Sequence, residues 1–198
     1  MSWADDGPAW RAGVRGSEGG MDESDLAAIS QRYAHGNHRP LSGYVALGAT
    51  YAVAAGGLFL AGRRKAPRFS GRLSPGDLAL ITVATQRLSR TLAKDSVTSP
   101  LRAPFTRYKE PGMPSEVNEE VAPELRDRPV RHAIAELITC PFCLGQWVAT
   151  GLVGGQVLAP TVTRLVTSVL TAVAGADALQ FCYSALQRLE GENEQTPH

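Results

Sequence analysis

The sequence is poor in the features that usually identify an enzyme or a disulfide-rich protein. It has three Cys in 198 residues, 7% aromatic side chains and a formal net charge of +1. Three Cys are too few for a disulfide scaffold, and so balanced a charge argues against nucleic acid as a partner. There is no phosphate loop, Gly-x-Ser-x-Gly elbow or HExxH motif. Composition therefore names no catalytic residue, although 43% hydrophobic residues exclude a wholly disordered chain.

Charged side chains are absent from two long stretches and almost absent from a third. Residues 40–62 and 137–163 contain no Asp, Glu, Lys or Arg, and residues 165–187 contain only Asp177. About 20 apolar residues cross a bilayer as a helix. The sequence therefore predicts an all-α integral membrane protein with about three transmembrane helices, whose partner is the lipid bilayer. One helix is predicted at 43–62, and a C-terminal helical membrane hairpin at 140–189, with Asp177 facing another helix or water.

The rest of the chain divides by composition into three regions. Residues 1–42 carry four Lys+Arg and six Asp+Glu, and we expect a flexible polar N-terminal region there. Residues 63–139 carry 14 Lys+Arg and nine Asp+Glu, which predicts a basic cytoplasmic region. Residues 190–198 are expected to be a disordered tail.

The segment Ser74-Pro75-Gly76-Asp77 is a helix start signal. The apolar side chains of residues 77–94 recur with helical spacing, and Arg87, Arg90 and Lys94 fall on the opposite face. This pattern predicts an amphipathic interfacial helix that lies on the inner membrane surface or packs on the hairpin. A transmembrane passage here would carry the basic region to the outer side.

Positive charge predicts one topology for this arrangement. Residues 63–82 hold five basic side chains, whereas residues 23–42 hold two, and Lys/Arg-rich flanks stay cytoplasmic. We therefore expect a multi-pass protein of the cell membrane with three passes, its N-terminus outside and its C-terminus cytoplasmic. Gly48, Ala52 and Gly56 form a stripe of small residues that predicts close approach of another membrane helix, from a second copy or from another membrane protein.

A first polar cluster follows the amphipathic helix, at residues 94–107. Pro100 and Pro104 preclude a regular helix there, so the backbone of Arg102 is expected to be stiff and extended. Two readings remain open. Asp95 pairs with Arg102 or Arg90 in a rigid connector, or an anion or lipid-headgroup site is formed by arginines, namely Arg87, Arg90, Arg102 and Arg107. Residues 109–129 are predicted to be a loop, with acidic side chains that are solvated or neutralise the basic helix.

A second cluster is the CxxC segment Cys140-Pro141-Phe142-Cys143, at a predicted helix start where proline suits the first position. It is expected to form a Pro-bent, packed helix junction. Thiol-redox chemistry and zinc are the alternatives, and zinc would need two further ligands from His132, His35, His38 or a second chain. Cys182 is expected to be a small core residue. Glu136 is predicted to be buried beside Arg87, Arg90 or Arg102, because a lone buried carboxylate is costly.

The two clusters together resemble a known family. The segments DLALITVATQRLSRTLAKDSVTSPLRAPFTRY and AELITCPFCLGQWVA are similar to those of bacterial membrane proteins catalogued as domain of unknown function 1360, some of which are called sporulation proteins. The resemblance covers roughly residues 75–187 and implies a small membrane protein with no assigned reaction. The family's distinctive polar positions fall on Arg87, Arg90, Asp95, Thr98, Arg102, Glu136, Cys140 and Cys143.

These observations predict a non-enzymatic structural or accessory component of a bacterial envelope, with no cofactor unless Cys140 and Cys143 bind zinc. One alternative is a membrane thiol-redox or zinc-binding protein that uses these two Cys. The other is a soluble helical protein that binds a partner through its apolar hairpin.

Overall fold

A computed structural model describes residues 28–29, 32–33, 39–65 and 73–194, although not the side chains of 191–194. Most of the predicted N-terminal region, with His35 and His38, lies outside the described residues. The chain forms two compact units, residues 1–41 and 42–198. The elements in chain order are α1 (Leu41–Lys65), α2 (Pro75–Lys94), α3 (Ser99–Arg102), β1 (Thr106–Pro111), β2 (Val117–Val121), α4 (Pro129–Thr139), α5 (Pro141–Leu158) and α6 (Pro160–Glu194).

The predicted all-α membrane class is confirmed. Two helices, α1 and residues 160–190 of α6, are long and apolar enough to cross a bilayer, and the bent pair α4–α5 makes a third candidate. The helix α1 covers the predicted span at 43–62, begins two residues earlier and ends on three basic side chains, which suit the negative end of the helix dipole.

The helix α2 packs against both α5 and α6, so the predicted packing on the hairpin is observed, and the placement on the inner membrane surface stays a prediction. Ser74 caps its first turn by accepting a hydrogen bond from the Asp77 N–H at 3.0 Å, and a proline occupies the first turn, where a missing N–H costs nothing. Ile81 and Ala84 are buried on its inner face. A start signal and an apolar stripe readable in the sequence thus produce the central helix of the bundle.

The helices α5 and α6 form the predicted helical hairpin. Ala159 separates them, and Gly155 lies close to Thr163 across the turn. One boundary is wrong, because α6 continues to Glu194. Residues 190–194 are therefore helical rather than part of a disordered tail, and residues 195–198 lie outside the described chain.

The predicted loop at 109–129 is instead mostly a β-hairpin. The strands β1 and β2 pair antiparallel, and the turn between them holds Ser115 at a positive φ of 68°. Behind the hairpin, apolar side chains pack against one another: Phe105, Val121, Ala122, Leu125 and Ala135. Through this apolar contact the hairpin packs against α4. We call residues 95–139, which include the hairpin and α4, the cap.

The predicted extended backbone at Arg102 is also wrong. Arg102 ends the single helical turn α3, in which Pro100 lies in the first positions. Proline is tolerated there because the first N–H groups of a helix have no intrahelical partner. The Pro-rich segment is therefore a series of short turns that brings Arg102 under the hairpin.

The glycines of α1 divide into two groups. A Cβ at Gly48 or Gly56 would meet nothing within 4 Å, so the small-residue stripe contacts no helix in the described part of the chain. Gly43 instead faces α4, where a Cβ would lie 2.1 Å from the Pro129 carbonyl oxygen. Close approach of α1 to α4 therefore requires glycine at position 43.

We predict that Gly43→Ala destabilises the folded protein by about 1–3 kcal/mol, as overpacking of a close contact does. The matched control is Gly48→Ala on the same helix, which should cost nothing and can gain up to about 1 kcal/mol from helix propensity. Denaturant unfolding of both variants in one detergent measures the difference. Equal stabilities would show that α1 does not approach α4 as described.

Candidate functional site

The predicted arginines gather around the C-terminal end of α2 and in the cap, and each is paired with a carboxylate. Three of the partners, Glu116, Glu119 and Glu124, come from the predicted acidic run, which therefore neutralises basic residues rather than being merely solvated. The pairs are Arg87 with Asp95 and Asp177, Arg90 with Glu116, Arg102 with Glu119, and Arg107 with Glu124.

The pair between Arg102 and Glu119 is the most buried of these. Arg102 is 1% exposed, and its Nε and Nη2 each donate to a different oxygen of Glu119 at 3.0 Å. Its Nη1 donates to the Leu92 carbonyl at 2.8 Å and to the Thr98 hydroxyl. A two-pronged guanidinium–carboxylate contact is the strongest ordinary form of ion pair, and here it joins the end of α2, α3 and β2.

Glu119 receives more than one kind of donor. Burial alone would raise the pKa of its carboxyl, yet hydrogen bonds from Arg102, Thr106 and Ser99 outweigh burial, and the pKa is lowered from its ordinary value of 4.5. Thr106 and Ser99 donate at 2.8 Å each. The carboxylate is therefore held in its charged form inside the cap.

The predicted Asp95 has a different partner from those expected. Its Oδ2 accepts from Arg87 at 3.2 Å, while its backbone carbonyl accepts from Arg102 at 3.1 Å. Arg87 also lies 3.2 Å from Asp177 on α6, so Asp177 faces another helix as predicted. Thr98 belongs to the same network. Its hydroxyl donates to the Thr91 carbonyl and accepts from the Arg102 Nη1.

The four arginines do not form one anion site. The guanidinium of Arg102 is enclosed by protein acceptors and cannot reach an external anion, and Arg107 pairs with Glu124 at the exposed surface. Arg87 and Arg90 alone line an open cleft. Of the two readings, the salt-bridged connector fits Arg102, but the carboxylate that pairs with Arg102 is Glu119 and not Asp95.

The predicted contact between Glu136 and an arginine of this cluster is wrong. Glu136 accepts a hydrogen bond from the Tyr44 hydroxyl of α1 and lies 3.6 Å from the His132 Nε2 one turn away. Its side chain is 31% exposed, so it is not the buried carboxylate expected. Glu116 and Glu119 are the carboxylate partners of Arg90 and Arg102. Glu136 instead links α4 with α1 through Tyr44.

A further ion pair joins the other ends of α2 and α6. Arg164 donates to both carboxylate oxygens of Asp77, at 2.7 and 3.0 Å. From the sequence, Asp77 was predicted only as part of a helix start, and no role was predicted for Arg164. The missed signal is that each is an isolated charge at the edge of an apolar segment, where an unpaired charge is costly.

The Cys segment forms the expected bent helix junction, but the junction is not packed as predicted, because Cys143 and Phe142 are exposed. Cys140 caps α5, its Sγ accepting from the Cys143 N–H at 3.3 Å, and α4 and α5 meet at a bend of 85°. Among the described residues no group of three His, Cys, Asp or Glu is placed to hold a metal ion, so zinc stays an untested prediction. Cys182 is exposed, and its prediction as a core residue is wrong, because α6 turns that face away from the bundle.

Glu119 is the site residue that sequence reasoning missed. Val117 and Val121 flank it with the alternation of a short strand, and a Gly-containing turn precedes it, which together are a hairpin signal. The charge density of the segment hid that pattern. Once the hairpin is recognised, Glu119 pairs back toward Thr106 and Arg102.

Comparison with known proteins assigns the part of the chain that holds these ion pairs to a family. Residues 80–183 match the family described as "Protein of unknown function (DUF1360)". The chain belongs to the DUF1360 family. It is 33% identical over 98 residues to "Sporulation protein YjcA" of Bacillus subtilis (strain 168), an alignment that covers 50% of this chain and 81% of that protein. No solved structure matches the chain. The DUF1360 region contains the ion pairs of the cap, whereas α1 precedes it.

We predict that Arg102→Met destabilises the protein by about 3–5 kcal/mol, because it leaves the charge of Glu119 buried without its partner. The matched control is Arg107→Met, whose side chain is 53% exposed; loss of a surface pair costs about 0–1 kcal/mol. Denaturant unfolding measures both. A double variant, Arg102→Met with Glu119→Leu, should recover part of the loss, and no recovery would contradict the pairing.

We also predict that acid destabilises the cap through Glu119. Its folded-state pKa is lowered from 4.5, so the stabilisation is fully present above pH 4.5 and is lost as the pH falls through the folded-state value. The variant Glu119→Gln should be less stable at pH 7 and lose less on acidification. Glu120→Gln, an exposed change on the same strand, is the control. Parallel pH profiles for wild type and Glu119→Gln would refute this assignment.

Proposed function

We propose that this DUF1360 protein is a non-enzymatic structural or accessory component of a bacterial envelope. In this proposal α1, α2, α5 and α6 cross the bilayer side by side, and the cap closes one end of the bundle. Membership of the DUF1360 family, together with the similarity to a sporulation protein of Bacillus subtilis, supports a bacterial role. The candidate spans support a location in the membrane.

The observation that carries the proposal is that ion pairs link α2 to α6 at two positions along the helix axes. Asp77 bonds to Arg164 near the start of both helices, and Arg87 lies against Asp177 further along both. At a rise of 1.5 Å per residue, these levels are roughly 15–20 Å apart. The two helices therefore run parallel, and α2 crosses whatever thickness α6 crosses.

The helices α1 and α5 also run parallel to each other. The Tyr51 and Thr150 hydroxyls are 2.7 Å apart, and a Cβ at Gly62 would lie 3.2 Å from Val157. The C-terminal end of α1 therefore lies beside the C-terminal end of α5. Because α5 returns through Ala159 into α6, that end also lies beside the Asp77–Arg164 pair.

These directions favour four passes rather than the three predicted from charge alone. The segment after α1 and the α5–α6 turn then share one side. The start of α1, the cap and the end of α6 share the other. In the three-pass arrangement, the segments that precede and follow α2 would lie on the same side of the membrane. That is difficult to combine with the length of α2 and with its two ion pairs to α6.

The charges of α2 explain why its sequence does not read as a span. Asp77, Arg87 and Arg90 lower its apolar character, yet each is paired with an opposite charge. Charged residues within membranes face the bundle interior and pair with one another. The neighbouring helices α5 and α6 cover the face of α2 that holds Ile81 and Ala84, whereas Leu78 and Val83 on another face are exposed apolar side chains that lipid can contact.

The arrangement of the charges supports a structural role. The polar side chains inside the cap, such as Arg102 and Glu119, hydrogen-bond to one another. Their donors and acceptors are therefore not available to a substrate. The resulting module is rigid, and it positions one end of the helix bundle. Cys140 and Cys143 contribute the bend between α4 and α5.

Single-cysteine labelling tests the arrangement. Cys140, Cys143 and Cys182 are replaced by Ser, and one Cys is introduced by Lys65→Cys, Thr161→Cys or Tyr108→Cys, each at an exposed position. A membrane-impermeant maleimide is applied to intact and to opened cells. We expect Lys65→Cys and Thr161→Cys to share one labelling pattern and Tyr108→Cys to show the opposite one.

The competing arrangements give different groupings. Three passes would group Lys65→Cys with Tyr108→Cys and leave Thr161→Cys on the other side, which would overturn the proposal. Release of the wild-type chain from membranes by alkaline carbonate would overturn it as well and favour the soluble partner-binding protein. Blocking with a permeant maleimide first is the control for thiols that are buried rather than on the far side.

A further inference from the structure

A groove of about 550 Å³ runs between the C-terminal halves of α1 and α5. Its walls are almost entirely apolar, with Leu58 and Phe59 on the side of α1 and Val153 and Val157 on the side of α5. The volume lies within the range of roughly 300–1,000 Å³ that is typical of ligand sites. The groove therefore has the size and the apolar character of a site for a hydrocarbon chain.

The two ends of the groove differ in character. At one end the Tyr51 and Thr150 hydroxyls, 2.7 Å apart, join the two helices. At the other end lies Arg63, which alone among the described lining residues is charged. The lining of α1 extends from Ala55 to Arg63, which is roughly 12 Å along the helix axis. That length is close to half of the roughly 30 Å hydrocarbon core, so the groove has about the depth of one lipid leaflet.

The side chain of Arg63 has donors that no other group occupies. Its guanidinium carbon lies 5.7 Å from the centre of the Phe59 ring, and this cation–π contact holds the charge beside the groove. Arg63, Arg64 and Lys65 are all exposed, and none of them makes a side-chain hydrogen bond or an ion pair within the described part of the chain. In contrast to the paired arginines of α2 and the cap, these three side chains can donate to an external anion.

The helix dipole leaves most of this charge unbalanced. The C-terminal end of a helix is equivalent to about half a negative charge, whereas α1 ends on three basic side chains. Residues 66–76 contain two more arginines and no Asp or Glu, and the next carboxylate, that of Asp77, is bonded to Arg164. This end of α1 therefore has an excess of positive charge that an anion from outside the chain can balance. Lipid phosphates are such anions, and basic pockets between membrane helices bind them.

We propose that the groove between α1 and α5 binds an anionic phospholipid. One acyl chain lies in the groove against Leu58 and Val153, and the phosphate accepts hydrogen bonds from Arg63 at its open end. Arg64 and Lys65 add to the positive potential there. The site rests on one part of the proposed function, that α1 crosses the bilayer and ends at its surface. It does not depend on whether α2 crosses as well.

The test compares two phospholipids with identical acyl chains on the full-length protein in detergent, by native mass spectrometry. Phosphatidylglycerol carries a net negative charge, and phosphatidylcholine carries none. We expect phosphatidylglycerol to bind about tenfold more tightly, because several basic side chains lie near its phosphate. Equal binding of the two lipids would overturn the proposal.

A first pair of variants locates the headgroup. Arg63→Gln should weaken the binding of phosphatidylglycerol by about fivefold and leave that of phosphatidylcholine nearly unchanged. The matched control is Arg126→Gln, which removes an exposed arginine of the cap, at the other end of α1. It should leave both affinities unaltered. Equal losses in the two variants would show that binding follows net charge alone, and would overturn the site.

A second pair of variants locates the acyl chain. Val153→Phe places a larger side chain in the groove, and because Val153 is 38% exposed the variant is expected to fold. It should weaken the binding of both lipids by about tenfold, since it excludes part of the chain from apolar contact. The matched control is Val53→Phe on α1, at a position that is 76% exposed and outside the groove. Unaltered binding in folded Val153→Phe would overturn the groove as the site of the chain.

A last arm distinguishes the occupants. Soluble glycerol phosphate should displace phosphatidylglycerol only at a much higher concentration, because it has no acyl chain. Displacement at equal concentration would overturn the assignment to a lipid. A dimer that excludes lipid and is lost in Val153→Phe would assign the groove to a second copy instead. Loss of lipid selectivity in a protein that resists carbonate extraction overturns this site alone, whereas release by carbonate overturns the proposed function itself.

Discussion

The two-pronged bond between Arg102 and Glu119 is the interaction on which the cap depends. It connects the turn after α2 to the second strand of the hairpin, and both partners are nearly inaccessible to solvent. Two buried charges are tolerated only when they satisfy each other and when further hydrogen bonds complete their shells, as Leu92, Thr98, Thr106 and Ser99 do here. The hairpin has only two strands, and such a ribbon is marginal by itself. Its position is therefore set by this pair and by the small apolar contact with α4.

The same constraint acts along the helix bundle. Asp77 with Arg164, and Arg87 with Asp177, are pairs of opposite charge that link α2 to α6. An apolar interface alone allows helices to slide or rotate, because one aliphatic contact replaces another at little cost. A pair of opposite charges has no such substitute, since a shift of one turn would leave both unpaired. The ion pairs thus fix the direction and the axial position of α2 against α6, which apolar packing would leave open.

The sequence was sufficient for features that depend on local pattern. Uncharged stretches predicted α1 and the α5–α6 hairpin, Ser74 with its proline predicted the start of α2, and Pro141 predicted the junction at Cys140. Features that depend on distant partners were not accessible in this way. Glu136 was assigned to the arginines because it stands beside an apolar run, whereas Glu119 competes better for Arg102 through the hairpin. A carboxylate's partner is chosen by three-dimensional proximity, and a single sequence gives no measure of it.

If α2 crosses the bilayer, as in the proposed four-pass arrangement, counting charges misleads for this kind of helix. The rule that basic flanks stay cytoplasmic treats each Lys or Arg as a free charge facing solvent or headgroups. In α2 the arginines are bound to carboxylates from the cap and from α6, so in the proposed arrangement their positive charge is largely cancelled. Removing Arg87, Arg90 and Asp77 from the count leaves a helix whose other residues are mainly apolar or small. The polar face that the sequence predicts for this amphipathic helix is, in three dimensions, a row of charges whose opposite partners lie on neighbouring segments.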